Sequence, residues 1–235
     1  MKDTSKNDIW TSIRENAVGL GLFAIVTAGS IGIAQVVTKE SIEKNVQIAR
    51  AKALHEIVPQ SAYDNDILND TISLSHDGVN SEFSVRLLGP IADDAVAYIA
   101  RKDGKAHTII LPVTAPDGYT ANIDMIVGVK VDGSLAGVRV VNHKETPGLG
   151  DKIEAKKHPW ILQFSGLSLT NPEEKLWAVK KDGGDFDQFT GATITPRAVV
   201  RSVRLALTFF QKHSKELTAN KDYLTAHTED VAHGE

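Results

Sequence analysis

The sequence contains no cysteine. This absence excludes disulfide scaffolds, thiolate zinc sites, cysteine-ligated iron–sulfur clusters and cysteine nucleophiles. Basic charge is also scarce, since 26 Lys and Arg face 30 Asp and Glu, which gives a net charge of −4 and a pI near 6.1. The chain has no basic run with interleaved aromatic residues, so we predict no nucleic-acid partner.

Several motifs of metal and nucleotide chemistry are missing as well. None of the eight histidines stands in HExxH or HxH spacing, so we predict no metal site. The sequence has neither a GxSxG motif nor a P-loop. Gly19, Gly21 and Gly29 fall within an apolar stretch, which excludes a dinucleotide fingerprint there. The length of 235 residues is enough for one domain plus an appendage.

A long uncharged stretch is present near the N-terminus, at residues 16–38. As a helix it would be about 35 Å long, which is enough to cross a bilayer core of about 30 Å. A cleaved signal peptide is the alternative, because Ala28, Gly29 and Ser30 resemble a cleavage site, but the apolar run continues past them. We therefore predict a transmembrane helix at 16–38, preceded by a short cytoplasmic segment at 1–15. The flanking charges do not decide its orientation.

The next segments alternate between helical and strand patterns. Apolar residues at three-to-four spacing up to Pro59 predict an amphipathic stalk helix at 39–59. Residues 60–80 are predicted as a loop with a short helix. Turn signals between β-rich runs predict two hairpins, formed by 95–101 with 106–113 and by 122–131 with 135–141. The alternation within 122–131 predicts one buried face and one mostly solvated face.

The last third predicts short elements and one clear helix. Asp151 is expected to cap a short helix that Pro159 breaks or kinks, and residues 176–181 are predicted as a strand. Thr195 as N-cap and Pro196 as the first helical residue predict the start of the final helix. The side chains expected to point inward are Ile153, Trp160, Ile161 and Phe164 in the short helix and Val199, Val203, Leu207 and Phe210 in the final one.

These elements predict an α+β fold class. The single transmembrane helix and the stalk helix are followed by one domain at 60–216, with an antiparallel sheet and flanking helices. Residues 217–235 are polar and are expected to form a mobile tail.

The segment 187–196 is the first candidate for chemistry. It holds Thr190, Thr193 and Thr195 directly before the predicted helix start, with Gly191 and Ala192 between them. A helix N-terminus offers unpaired N–H groups and the positive end of the dipole, so a phosphate would fit there. Threonines that serve only as local caps are the simpler interpretation of the composition alone.

Two further loops are candidates for a site. The loop 145–150 contains a proline and two glycines, and is either a site-lining loop or a plain connector. The loop 180–185 carries two lysines beside two glycines, and is either an anion-binding turn or a solvated loop end.

Three features together resemble a known family: the N-terminal span, ETPGLGDKIE at 145–154 and AVKKDGGDFDQFTGATITPRAVV at 178–200. They closely resemble the G subunit of the Rnf (Rsx) ion-translocating electron transport complex and, more distantly, the C subunit of the sodium-pumping NADH:quinone oxidoreductase. The resemblance covers nearly the whole chain. Its most specific part is DxxTGAT at 187–193, the target pattern for covalent flavin attachment in this FMN-binding domain family.

The resemblance implies a cofactor and its attachment point. One FMN is expected to be bound through a phosphoester to the hydroxyl oxygen of Thr193. A Mg²⁺-dependent flavin transferase with FAD as donor would install it outside the cytoplasm and would read Asp187 and the small residues beside the acceptor. The other cofactor-binding residues implied by the resemblance are Thr190, Gly191, Ala192 and Thr195 in the turn, Glu145, Thr146 and Leu149 along the isoalloxazine, and Lys180 near the flavin or its phosphate.

The resemblance also implies a function. The chain is expected to be a membrane-anchored flavoprotein that carries electrons between other subunits of a translocase-class oxidoreductase complex and is not catalytic alone. It would cross the bacterial inner membrane once and place the FMN domain in the periplasm. A membrane-tethered, non-redox module that binds a ligand or partner is the alternative. An autonomous flavin reductase is disfavoured because no nicotinamide-binding fingerprint occurs.

Overall fold

The computed structural model describes residues 4–74 and 85–219. Residues 220–235 of the tail predicted at 217–235, the first three residues and residues 75–80 of the loop predicted at 60–80 lie outside these residues. The first helix, α1, runs over Thr4–Ile57. Within it, Asn16–Lys39 is long and apolar enough to cross a membrane, with a mean hydropathy of 2.0. The chain divides into two compact units between Ala49 and Arg50, and the sheet belongs to the second unit.

The second unit is built on a five-stranded antiparallel sheet in which the strands follow chain order. The two hairpins predicted from the turn signals form β2 with β3 and β4 with β5, so the predicted α+β class is confirmed. The short edge strand β1 was missed, because three residues carry too little alternation to be recognised. The strands are β1 (Thr71–Ser73), β2 (Val96–Lys102), β3 (Lys105–Ala115), β4 (Ile123–Lys130) and β5 (Leu135–Asn142).

One face of the sheet packs against the C-terminal helix, α2, which runs over Ile194–Thr218. This face carries alternate residues of the central strands, among them Leu111 of β3 and Val127 of β4, and both are fully buried. The four residues predicted to form the apolar stripe of the helix are buried in the same cluster. This cluster is the main hydrophobic core of the domain.

The opposite face of the sheet is covered as well. Leu54, Ile57 and Val58 pack there against Ile110 and Ile126. The prediction of a mostly solvated face on β4 is therefore wrong, because the end of α1 covers it. A Cβ added to Gly128 of β4 would lie only 2.4 Å from Cγ2 of Ile57, so glycine is needed for this close approach.

Short 3-10 helices follow the sheet, at Gly150–Ile153 and Pro159–Phe164. The four side chains predicted to point inward from this region are buried. Asp151 does not cap a helix as predicted, because it lies inside the first 3-10 helix and accepts the N–H of Gly148. His158 caps the second 3-10 helix instead, since its side chain accepts the N–H of Trp160 at 3.1 Å.

The strand predicted at 176–181 is not formed. The segment contains the 3-10 helices Glu174–Leu176 and Lys180–Asp182 and a single bridge between Val179 and Phe186. The chain reverses tightly after this segment, so closely that a Cβ on Gly184 would lie 2.0 Å from the carbonyl oxygen of Ala178. The segment therefore folds into turns and 3-10 helices with one isolated bridge in place of a strand.

Candidate functional site

Glu145 joins three segments of the domain. Its side chain is buried, with 4% exposed, in the loop that follows β5. Its Oε1 accepts the N–H of Thr120, from the loop between β3 and β4, at 3.0 Å. Its Oε2 accepts the hydroxyl of Thr195 in the first turn of α2. Because both oxygens are engaged, the carboxylate fixes the position of the helix start relative to the two loops.

Two glycines provide the space that this carboxylate occupies. A Cβ on Gly150 would lie 2.9 Å from Oε2 of Glu145 and 3.0 Å from the hydroxyl oxygen of Thr195. A Cβ on Gly118 would lie 2.0 Å from the carbonyl oxygen of Ala121 and 3.2 Å from Oε1 of Glu145. Glycine is needed at both positions, because a larger residue would crowd the buried side chain of Glu145 or the backbone beside it.

The threonine segment forms a tight turn before α2. The N–H of Ala192 donates to the carbonyl of Phe189 at 3.1 Å, and Gly191 has φ = +80° at the third position of the turn. A positive φ at this position favours glycine. Thr190 is exposed at the outer corner.

An aromatic cluster supports this turn from beneath. The ring of Phe189 lies 5.1 Å from that of Trp160 in an edge-to-face arrangement, and Trp160 packs in the same way on Phe164. The indole N–H of Trp160 donates to the carbonyl of Asp187 at 2.8 Å. These aromatic contacts and the hydrogen bond from Trp160 hold the inner side of the turn in place, although its outer side chains face solvent.

The start of α2 differs from the prediction. The helix begins at Ile194, so the N-cap position belongs to Thr193 and not to Thr195. Thr195 lies within the first turn, and its hydroxyl bonds to the buried Glu145. The half-buried Thr193 makes no capping bond, and its hydroxyl has no hydrogen-bond partner among residues 4–74 and 85–219.

Leu149 links the two loops at the surface. Its Cδ2 lies 3.7 Å from the position of a Cβ on Gly191, and 42% of the residue is exposed. Thr146 is exposed, and its carbonyl accepts the N–H groups of Leu149 and Gly150 at 3.1 Å each. Tyr119, which the sequence reasoning did not single out, is an exposed aromatic residue directly before Thr120. Leu149 therefore provides an exposed apolar side chain beside the threonine turn.

Charged side chains surround the turn in pairs. Lys180 Nζ lies 2.7 Å from Oδ1 of Asp187, and both side chains are more than half exposed. Arg197 in α2 makes two 2.5 Å bonds to the carboxylate of Asp182. Hydrogen bonds from Arg197 and its charge lower the pKa of Asp182.

Arg197 was missed by the sequence reasoning. A signal was available, because a cation in the first turn of a helix is unfavourable unless an acid compensates it. Asp182 supplies that acid.

A second polar network lies under the loop 145–150. His143 Nδ1 accepts the N–H of Glu145 at 3.0 Å, and its Nε2 lies 2.8 Å from Oε1 of Glu154. Lys157 Nζ contacts Glu154 at 2.5 Å and Asp151 at 3.1 Å. Hydrogen bonds and charge from these two carboxylates raise the pKa of Lys157, and the N–H of Gly148 is the main cause that lowers the pKa of Asp151. Sequence reasoning missed this network.

The arrangement has the properties needed to hold a phosphate-linked aromatic cofactor. A hydroxyl without a partner in the described part of the chain stands at the N-cap of a long helix, where the dipole and unpaired N–H groups stabilise negative charge. Exposed Leu149 adjoins the same turn and can contact a planar ring. In the part of the chain that the structure describes, no group of three or more His, Asp or Glu is arranged to hold a metal ion.

Two family models match the chain. The model of the FMN-binding domain matches residues 118–208, which include Thr120, Glu145 and Thr193. The model of the RnfG N-terminal region matches residues 1–57.

Curated relatives are similar over nearly the whole chain. Proteins named as the G subunit of an ion-translocating oxidoreductase complex are 47% identical in Pseudomonas aeruginosa strain UCBPP-PA14, 42% in Shewanella piezotolerans and 38% in Vibrio atlanticus. The alignments cover 90%, 88% and 88% of this chain and 94%, 93% and 95% of the relatives, respectively.

Proposed function

The chain belongs to the family of G subunits of ion-translocating oxidoreductase complexes, and from this we propose that it is the FMN-carrying electron-transport subunit of such a complex. Its partners are then the other subunits of an Rnf-type membrane complex. The match to the FMN-binding domain supports the cofactor, and the similarity over 90% of the chain supports the role in the complex.

The attachment point that we propose is the hydroxyl oxygen of Thr193. The observation that carries this assignment is the contrast among the three threonines of the segment. The hydroxyl of Thr195 bonds to Glu145, and Thr190 stands at the outer corner of the turn. Thr193 alone combines the N-cap position with a hydroxyl that has no partner within the described residues.

The environment of Thr193 favours a phosphodiester. The first N–H groups of α2 and the positive end of its dipole lie at this residue, and they stabilise an anionic phosphate. Lys180 and Arg197 are each paired with a carboxylate, Asp187 and Asp182, so the favourable electrostatics come mainly from the helix start. In the attachment step, the Thr193 oxygen forms the bond to the FMN phosphorus of FAD while the pyrophosphate bond breaks, and AMP and the hydroxyl proton leave.

When bound, FMN accepts and donates electrons, and the protein supplies position and electrostatics. Leu149 offers an apolar contact beside the turn, and Thr146 lies in the same exposed loop. Glu145 acts on the site indirectly, because both of its carboxylate oxygens already accept hydrogen bonds from Thr120 and Thr195. We infer that Glu145 shapes the site through these bonds, in addition to any direct contact of its loop with the ring.

The location that we propose follows from the same interpretation. Asn16–Lys39 crosses the inner membrane once and contacts lipid, and the domain that carries the single FMN lies in the periplasm. A flavin transferase of that compartment reads Asp187 and the small residues next to Thr193. Covalent attachment suits this location, since a free cofactor would be lost by diffusion.

The test uses the full chain, purified in detergent from a host that exports it together with a flavin transferase. Thr193→Val keeps the shape of the side chain and removes the hydroxyl, whereas Thr193→Ser keeps the hydroxyl. We expect the mass of one FMN less one water on the wild type and on the serine variant, and none on the valine or Thr193→Ala variants. Thr170→Val, outside the site, is the matched control and keeps the flavin.

Covalent flavin on the valine variant would contradict the assignment of Thr193. A folded wild-type chain without flavin would contradict the carrier function itself and would favour the alternative, a non-redox module that binds a ligand or partner.

A further inference from the structure

His143 connects the end of β5 to two other parts of the site region. Its Nδ1 accepts the backbone N–H of Glu145 at 3.0 Å, and its Nε2 lies 2.8 Å from Oε1 of Glu154. A nitrogen that accepts an N–H group must present a lone pair, so the proton is on Nε2, which donates to Glu154. The carboxylate of Glu154 thereby fixes the tautomer of the ring.

Glu154 is itself held in place. Lys157 contacts Glu154 at 2.5 Å and also reaches Asp151 at 3.1 Å. Burial raises the pKa of Glu154, but hydrogen bonds from Lys157 and His143 outweigh it, so the pKa is lowered and the group stays ionised at neutral pH. The acceptor that orients His143 is therefore a carboxylate at neutral pH.

His143 accepts the backbone N–H of Glu145, the residue that joins the segments of the site. The carboxylate of Glu145 holds the N–H of Thr120 and the hydroxyl of Thr195, two residues after Thr193. The chain of contacts therefore runs from Glu154 through His143 and Glu145 to the first turn of α2. Each step is a direct hydrogen bond.

We propose that His143 is a positioning residue of the flavin site, which orients Glu145 and through it the turn that carries Thr193. This inference rests on the proposed function, because it assigns His143 a role toward the bound FMN. Histidine suits the position because a neutral imidazole accepts from an amide on one side and donates to a carboxylate on the other. No other amino-acid side chain offers an acceptor and a donor at the two positions that these ring nitrogens occupy.

Two substitutions separate the two hydrogen bonds of His143. In His143→Asn, the Oδ1 atom stands where Nδ1 stood and can accept the N–H of Glu145, but nothing reaches Glu154. In His143→Gln, the terminal amide can donate to Glu154, but the acceptor for Glu145 is lost. His143→Ala removes both bonds.

The matched control is His107, at the start of β3. Its Nδ1 lies 2.9 Å from the hydroxyl of Thr108, and its ring is half-buried like that of His143. Thr108 pairs with Lys130 at the end of β4, whereas the site lies beyond the other end of that strand. His107→Asn and His107→Gln therefore remove a comparable histidine far from the flavin.

The experiment measures three quantities on the flavin-loaded full chain: the intact mass, the midpoint potential of the flavin and its circular dichroism in the visible range. We expect unchanged covalent flavin in all variants, because Thr193 is intact. We expect a shift of the potential and of the visible dichroism in His143→Gln and His143→Ala. His143→Asn, which keeps the acceptor for Glu145, should shift both values less than His143→Ala does, and both His107 variants should retain the wild-type values.

The readouts distinguish a positioning role from general destabilisation. If His143→Asn shifts the potential as much as His143→Ala does, or if none of the variants shifts it, the inference is overturned. Glu154→Ala tests the same role independently. It removes the acceptor that fixes the tautomer of His143, so the midpoint potential should shift in the same direction as in His143→Gln, but less. A shift in the opposite direction would also overturn the inference. A wild-type chain without covalent flavin, in contrast, is a failure of the proposed function and is recognised by mass alone.

Discussion

The Glu145 loop and the threonine turn lie side by side but are built in opposite ways. In the Glu145 loop, a buried carboxylate uses both oxygens to bind Thr120 and Thr195, and glycines pack closely around it. In the threonine turn, the side chain of Thr193 at the start of α2 makes no capping bond. The charged residues near this turn are exposed and bind one another across its surface.

This difference separates two roles. The side chain that stabilises the site has both carboxylate oxygens engaged, so it is less available for chemistry. The side chain proposed to carry the cofactor has its hydroxyl unengaged, so its modification breaks no bond within the described residues. Substitutions should therefore divide into those that affect stability strongly and those that affect only the cofactor.

The largest effect on stability is expected from Glu145→Ala. It leaves the N–H of Thr120 and the hydroxyl of Thr195 without acceptors in a buried site. We expect a loss of about 2–4 kcal/mol in the free energy of unfolding. Denaturant unfolding of the detergent-solubilised chain, followed by the fluorescence of buried Trp160 and Trp177, measures this loss. A loss as small as that of an exposed residue would contradict the role of Glu145.

A second, smaller effect is expected from Gly150→Ala. The new methyl group would press on Glu145 and on the hydroxyl of Thr195 from about 3.0 Å, and we expect a loss of about 1–3 kcal/mol. Thr195→Ala removes one of the crowded atoms, so the double variant should lose less than the sum of the two single changes. Strict additivity in this double-mutant cycle would show that Gly150 does not crowd the Thr195 hydroxyl.

Asp182→Asn tests the exposed side of the comparison. Hydrogen bonds from Arg197 lower the pKa of Asp182 from 3.8. The charged carboxylate therefore stabilises the folded state above about pH 4. This stabilisation is lost as the pH falls through the lowered pKa. We expect a small decrease of the unfolding temperature at pH 7. The decrease should shrink in about 0.5 M salt, because added ions screen exposed charges.

The salt response is what distinguishes this pair from the buried site. Glu145→Ala should keep its full effect at the same salt concentration, because its partners are neutral donors inside the protein. Equal salt sensitivity of the two variants would contradict the contrast between a buried and an exposed region.

The smallest effect on stability is expected from Thr193→Val. Since the hydroxyl makes no capping bond and the β-branched shape is kept, the free energy of unfolding should change by less than about 0.5 kcal/mol. The same unfolding measurement, made on chains without flavin, checks this value. A loss above about 1 kcal/mol, typical of a broken helix cap, would mean that Thr193 is a structural cap.

The parts of the fold that the sequence predicts are those with local patterns. The turn signals between β-rich runs identify both hairpins, and the spacing of Val199, Val203 and Leu207 identifies the buried face of α2. Turn residues act within their own short segment, and the apolar stripe of α2 comes from side chains that face one core. Both patterns are therefore readable without knowledge of the tertiary structure.

The parts that were missed depend on contacts between distant segments. The end of α1 covers the second face of β4, and the only sign in that strand is Gly128, whose missing side chain leaves room for Ile57. Thr195, in the first turn of α2, bonds to Glu145, which lies 50 residues earlier in the chain. Local capping preferences cannot reveal a competing partner at that distance.

For the candidate site, the sequence singled out two loops, which the structure brings together, but did not show how they are joined. The motifs at 145–154 and 187–193 indicated both loops through their resemblance to a family. The hydrogen bonds of His143, Glu154 and Lys157 were missed, because their spacing matches no known motif and their residues are ordinary surface types.

The central claim is that Thr193 carries the flavin, and one measurement tests it most directly. Trypsin should release residues 182–197 as a peptide that contains Thr190, Thr193 and Thr195. Fragmentation of this peptide by tandem mass spectrometry, from the full chain exported with a flavin transferase, locates the modification among the three threonines. We expect the added mass of FMN less one water on Thr193. An unmodified Thr193, with the flavin on Thr190 or Thr195 or absent, would contradict the claim.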